Sequence, residues 1–278
     1  MAIVPHNFLV RANRAMDVTQ ALIDSGTITS EERQWFAGFV DAEGCLGMYK
    51  NQTGILHFSI GQRDSTVLQR LRTLLNKWHI ALFSIKERPN ICKEAYSKMN
   101  VPELRTHVVK TCARLFVLLN GAICHPNKLA ILAQWAGYLD QPIKTSTITW
   151  PWLAGFFDGD GSLYANKKRN CLYVQITQKN KEILKEIISF TGFGYIRPFM
   201  NSAQEPYFMY VCSRRKAIEF LQKIKPHQHI INKNLNTAEN IITLTNKGGE
   251  LINDFVRTVR HEEVIFHENL NIGGSLTR

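Results

Sequence analysis

Two short acidic runs, Asp41-Ala42-Glu43-Gly44 and Asp158-Gly159-Asp160-Gly161, carry the chemistry most open to this chain. Each closes the same kind of segment, Trp35-Phe36-Ala37-Gly38-Phe39-Val40 in the first case and Trp152-Leu153-Ala154-Gly155-Phe156-Phe157 in the second. Such self-similarity marks two structural copies within one polypeptide. Read as helices, the segments expose Ala37 and Gly38, or Ala154 and Gly155, through which two backbones can approach closely while the aromatics fill each core. Packed about a pseudo-two-fold axis, the helices would set Glu43 and Asp160 side by side at their C-terminal ends. Two carboxylates repel, and a helix C-terminus adds roughly half an elementary charge of negative potential. The arrangement therefore requires a cation. Oxygen ligands beside a phosphate backbone suit Mg²⁺, and two-metal activation of water for in-line attack on a phosphodiester follows.

The elements that must position these acids repeat as well. After the first motif, Leu46–Lys50 and the alternating Leu56-His57-Phe58-Ser59-Ile60 read as a hairpin across Asn51-Gln52-Thr53-Gly54. After the second, Leu163–Asn166 and Leu172–Thr177 pair across Lys167-Lys168-Arg169-Asn170. Helices over Asp64–Trp78 and Asn180–Phe190 follow, with Asp64 and Asn180 as N-caps. Further strands are expected near Leu82–Glu87 and His107–Thr111, then near Tyr195–Met200 and Tyr207–Cys212. Helices from Ala113 and Arg215 close the units, and others follow Asn127 and Asn232. The fold class is α+β, with two pseudo-symmetric αββαββα repeats, each with a curved antiparallel β-sheet. The expected divisions are an N-terminal extension (1–32), repeat 1 (33–140), a linker (141–150), repeat 2 (151–259) and a C-terminal tail (260–278). An insertion, Pro89–Pro102, lengthens the first copy. Glu43 to Gln62 and Asp160 to Gln178 span nearly equal distances, and Asn127-Lys128 matches Asn232-Lys233.

Composition narrows the partner. Lys and Arg number 34 against 23 acids, a net charge of +11, which favours a polyanion, either nucleic acid or an anionic membrane surface. No apolar run is long enough to cross a bilayer; the longest lies around Leu115–Cys124. Six scattered cysteines, with no paired spacing, read as buried thiols of a reducing compartment rather than a zinc site. Arg11 and Arg14 are offset by Asp17 and Asp24, which leaves a cleaved targeting peptide open.

The two runs resemble the signature motifs of the LAGLIDADG homing endonucleases, in their single-chain, two-motif form, and the likeness extends from Trp35 to beyond Lys233. The resemblance implies two sheets forming a DNA-binding saddle, and a monomer that cuts both strands of a long pseudo-palindromic site. It implies Mg²⁺ as cofactor, with Ca²⁺ supporting binding without cleavage, and four-nucleotide 3′ overhangs. Glu43 and Asp160 correspond to the metal-ligating acids, and Ala42 and Gly159 to the residues contributing backbone carbonyls. Asp41 and Asp158 correspond to a structural acid near the helix end. Gln62 and Gln178 match the water-positioning residue, and Lys128 and Lys233 the basic residue near the cleaved phosphate. The motif consensus favours Asp where Glu43 stands, one methylene longer, which shifts the metal geometry. Relatives of the family also act as RNA maturases for group I introns, so host intron RNA is the rival partner, and an organelle, mitochondrion or chloroplast, is implied by analogy.

Strand alternation selects the surface that would read DNA. With Leu172, Val174 and Ile176 facing the core, Tyr173, Gln175 and Thr177 face outward beside Ser162, Tyr164, Asn166 and Lys168. The same parity selects Tyr49, Asn51, His57 and Ser59 in the first copy. Lys86, Arg88, Lys110 and Arg197 on the later strands complete the set. Such a sheet can enter a major groove. Asp158-Gly159-Asp160-Gly161-Ser162 is not an EF-hand loop, because Leu163 and Arg169 stand where that loop needs Gly and Glu.

Overall fold

Thr29 starts the first motif helix. Its hydroxyl accepts the Glu32 N–H at 3.1 Å, and the Glu32 carboxylate accepts the Thr29 N–H at 3.1 Å, a reciprocal cap. The helix is α2 (Ser30–Glu43), preceded by α1 (His6–Asp24). The order continues β1 (Gly44–Tyr49), β2 (Ile55–Gly61), α3 (Ser65–Lys77), β3 (Ser84–Pro89), β4 (Asn100–Thr106), α4 (Val109–Leu119), α5 (Pro126–Tyr138) and α6 (Trp150–Asp160). Then come β5 (Gly161–Asn166), β6 (Cys171–Gln178), α7 (Lys181–Thr191), β7 (Tyr195–Met200), β8 (Pro206–Ser213) and α8 (Arg215–Ile224). The computed structural model describes residues 6–49, 55–62, 64–80, 84–89, 100–166 and 171–229. Asn51, Lys168, Lys233, the hairpin tip around Lys167 and Arg169, and the C-terminal tail lie outside the described residues.

The chain divides into two units, Met1–Gly159 and Asp160–Arg278. The first holds a four-stranded sheet in the order β1-β2-β4-β3, the second one in the order β5-β6-β8-β7, and every pairing within them is antiparallel. The two sheets thus repeat one topology, and the α+β class stands. Asp64 and Asn180 cap α3 and α7 through side chains that accept the N–H groups of Thr66 and Glu182. Leu68, Leu71 and Leu75 of α3, and Ile183, Leu184 and Ile187 of α7, are buried at the spacing of one helix face.

The first copy departs from expectation at its fourth strand. β4 begins at Asn100, inside the expected insertion, and ends at Thr106; α4 starts at Val109 rather than Ala113. The β-branched Val108-Val109 reads as strand, but Val108 has extended dihedrals because it caps a helix (φ −73°, ψ 115°). Lys110 therefore stands exposed in the first turn of a helix, not on a strand. α1, outside both repeats, packs on α4: Ala12, Ala15 and Met16 are buried, and the Arg114 guanidinium donates to the Thr19 hydroxyl at 2.9 Å and to the Trp78 and His79 carbonyls. The segment between α5 and α6 is pinned by Asn120, which accepts the Lys144 N–H at 2.7 Å and donates to the Pro142 carbonyl at 2.9 Å. Among the described residues no helix is long and apolar enough to cross a membrane.

Candidate DNA-cleavage site

Within the first unit the two motif helices touch through their glycines. A Cβ on Gly38 would collide with the Trp152 carbonyl oxygen, and one on Gly155 with the Trp35 carbonyl oxygen. Only hydrogen fits at either crossing point, because backbone cannot give way. Gly159 repeats the pattern one turn on, its Cβ position blocked by the Ala42 side chain and 3.1 Å from Glu43 Cγ.

The first acid of each motif is sealed and shared between the helices. Asp41 is 1% exposed and Asp158 is 3% exposed. The Trp35 indole N–H donates to Asp158 Oδ2 at 2.8 Å, and the Trp152 indole N–H donates to Asp41 Oδ2 at 2.9 Å. Each helix thus carries a tryptophan, six residues before its own first acid, that holds the other helix's acid. Asp41 Oδ2 also accepts the backbone N–H groups of Cys124 at 2.7 Å and His125 at 3.1 Å, which fixes the entrance of α5. Burial lifts the Asp41 carboxyl to about 6; its N–H donors and the Lys128 charge draw it back toward the carboxylate range. Burial, reinforced by Lys128, depresses His125 to about 4. The sequence indicated a structural role for Asp41 and Asp158 but missed the two tryptophans. The signal was there, since Trp precedes the first acid at the same spacing in both copies.

The second acids differ. Glu43 ends α2 and Asp160 ends α6, and both are only half-buried. Gln178, the last residue of β6, donates from its amide to Asp160 Oδ2, so strand and acid are joined within the second unit. Gln62 follows β2, is buried, and donates its backbone N–H to the Pro102 carbonyl at 3.1 Å. Lys128 Nζ donates to the Val40 and Asp41 carbonyls at 2.6 Å each, where a cation offsets the negative end of α2. Glu43 follows those two carbonyls by only a few residues, and Ala42, expected to offer a carbonyl to metal, lies between. Each half-exposed carboxylate, at a helix C-terminus beside a sealed acid, is a hard oxygen donor of the kind that suits Mg²⁺ or Ca²⁺.

The expected DNA-reading faces divide. On the second sheet the alternation is present: Leu172, Val174 and Ile176 are buried, Tyr173, Gln175 and Thr177 are half-buried on the other face, and Ser162, Tyr164 and Arg197 are exposed, with Asn166 half-buried at the end of β5. On the first sheet His57 and Ser59 face away from Leu56, Phe58 and Ile60 as expected, yet they are 7% and 5% exposed. β2 is an inner strand, so larger neighbours shade both: the His57 ring stacks on His107 at 4.7 Å between centroids, and Ser59 pairs with Arg105. Tyr49 lies at the end of β1, and Lys86 and Arg88 lie in β3 opposite Glu103 and Val101.

Comparison with known proteins places these features. Residues 151–225 match the family model described as a LAGLIDADG-like domain. The chain is 23% identical over 234 residues to the probable intron-encoded endonuclease aI2 of Debaryomyces hansenii, covering 77% of this chain and 33% of that protein. It thus spans a third of that relative's length. It is 27% identical over 221 residues to the intron-encoded DNA endonuclease ai2b of Dictyostelium discoideum, covering 74% of this chain and 77% of the relative. Among solved structures it resembles the LAGLIDADG meganuclease I-AabMI bound to uncleaved DNA, with 15% identity, a TM-score of 0.51, and coverage of 82% of this chain and 96% of the other. Residues 151–225 thus match a LAGLIDADG-like domain, and the repeated four-stranded topology is that of the LAGLIDADG meganuclease fold.

Proposed function

We propose that this chain is a site-specific homing endonuclease. It binds a long pseudo-palindromic DNA duplex as a monomer and hydrolyses one phosphodiester in each strand with divalent metal, leaving four-nucleotide 3′ overhangs. The observation that carries the reading is the division of labour within each motif. The first acid is buried and spent on holding the opposite helix, whereas the second stands half-exposed at the helix end, where solvent and a ligand can reach it. The names of the two intron-encoded relatives support the same reading and an organellar setting.

In this reading Glu43 and Asp160 are the acids that take Mg²⁺, with the Ala42 and Gly159 carbonyls as additional oxygen donors. When bound, the metal supplies a more acidic water and a counter-charge for the phosphate in in-line attack. Gln178 holds the Asp160 carboxylate by its amide. Gln62 is the counterpart in the first copy. Lys128 neutralises the end of α2, which lowers the cost of a second negative group arriving there. Lys233, which follows Asn232 in the sequence as Lys128 follows Asn127, is proposed as the basic residue near the cleaved phosphate in the second copy.

Glu43→Gln and Asp160→Asn remove one charge each with little change of shape. Each should abolish cleavage of a plasmid carrying the selected site, while gel-shift affinity in Ca²⁺ stays within a few-fold of the parent. Cutting at the parental rate by either variant ends this assignment.

A further inference from the structure

Among the described residues, the outer face of the second sheet is poor in charge and rich in aromatic and apolar groups. Strand register arranges it in rows. Tyr164 lies beside Tyr173 and Ser213, with the two tyrosine rings 5.9 Å apart. Ser162, Gln175, Val211 and Tyr195 form the next row, and Thr177, Met209 and Arg197 the one after it. Tyr164 and Tyr195 are 51% and 55% exposed, unusual for rings that nothing in the fold requires to face solvent. Arg197, on the edge strand β7, is the single charged side chain in these three rows. Lys179, at the margin, is already engaged by Glu205 at 2.9 Å and by the Tyr207 ring.

We infer that the half-site read by this sheet is rich in A·T pairs, with an adenine opposite Gln175. This rests on the endonuclease reading above and adds the identity of the bases. In the major groove guanine is read chiefly by Arg or Lys reaching O6 and N7, adenine by Gln or Asn on N6 and N7, and thymine through its methyl by apolar contact. The rows present one central amide, the exposed Tyr164 and Tyr195 rings and the half-buried Met209, all suited to thymine methyls, but among the described residues no central cation for guanine. Gln175 stands between Ser162 and Val211 on an inner strand, so its amide is the polar group best placed to enter the groove floor.

The test is selection of bound duplexes from a randomised library in Ca²⁺, with the parent, Gln175→Ala and Gln175→Arg carried in parallel and thermal melts confirming that each folds. One half of the parental consensus should be dominated by A·T pairs. It should contain an adenine whose enrichment drops about tenfold in Gln175→Ala and gives way to guanine in Gln175→Arg. A parental guanine or cytosine at the position that responds to Gln175, or no responding position, overturns the inference while leaving the endonuclease reading in place. Failure of folded parent to enrich any duplex overturns both.

Discussion

Asp41 shows how a single buried carboxyl sets conditions for the region around it. Burial raises it to about 6 from an ordinary 3.8, while neighbouring His125 is lowered to about 4 from 6.5. The signs oppose. A raised acid contributes stability that is present at low pH and lost as pH rises through about 6; a depressed histidine contributes stability present above 6.5 and lost as pH falls through about 4. Between pH 4 and 6 the two nearly cancel. Asp41→Asn removes the first contribution, so in EDTA its melting temperature should fall more steeply than the parent's as pH drops from 6.5 to 4. Parallel curves would show that the pair does not titrate this way. The variant should also be less stable at neutral pH by about 1–3 kcal/mol, since it weakens three N–H donors that meet at Oδ2. The sequence marks both first acids as structural. It does not show that tryptophans from the opposite helix hold them, because that pairing joins residues more than a hundred positions apart, beyond any local pattern.

At the scale of elements, the crossing of α2 and α6 depends on two glycines, and helix propensity argues against both. Alanine in an exposed helix interior is favoured over glycine by about 1 kcal/mol. At Gly38 and Gly155, however, the added methyl would meet backbone carbonyl oxygen. Gly38→Ala and Gly155→Ala should each lower stability by several kcal/mol, as read by urea unfolding, because the helices must separate to make room. Gly137, near the end of α5, has nothing within 4 Å of its Cβ position, so Gly137→Ala should be neutral or stabilising by up to about 1 kcal/mol. If all three substitutions behaved alike, the close approach would not limit stability. This contact was legible in the sequence, since Ala-Gly recurs at the same place in both motifs. The hairpins and the capped helices α3 and α7 were legible too, from alternation and from Asp64 and Asn180. β4 was not. Its residues Asn100-Val101-Pro102-Glu103 include a proline and a charge that read as loop, and only pairing with β2 and β3 makes them strand.

For the whole molecule the governing quantity is charge. A surplus of 11 positive charges on 278 residues is spread over a chain whose second sheet, among its described residues, has few cations on its outer face. On the proposed endonuclease reading, most of the basic groups would contribute to affinity without selecting bases there, by displacing counterions condensed on the phosphates. Affinity and specificity should then separate with salt. Between 50 and 200 mM monovalent salt, affinity for the selected duplex should fall about 10³-fold or more if six or more phosphates are neutralised, and the slope of log K against log salt gives that number directly. Arg197→Ala should flatten the slope by about 1 if this exposed edge residue meets a phosphate; a selective loss at one base pair with unchanged slope would instead make it a base contact. Gln175→Ala should leave the slope unchanged and alter only the sequence preference. Affinity that barely responds to salt would mean that the positive surplus serves something other than a nucleic acid backbone, and the DNA reading would lose its electrostatic support.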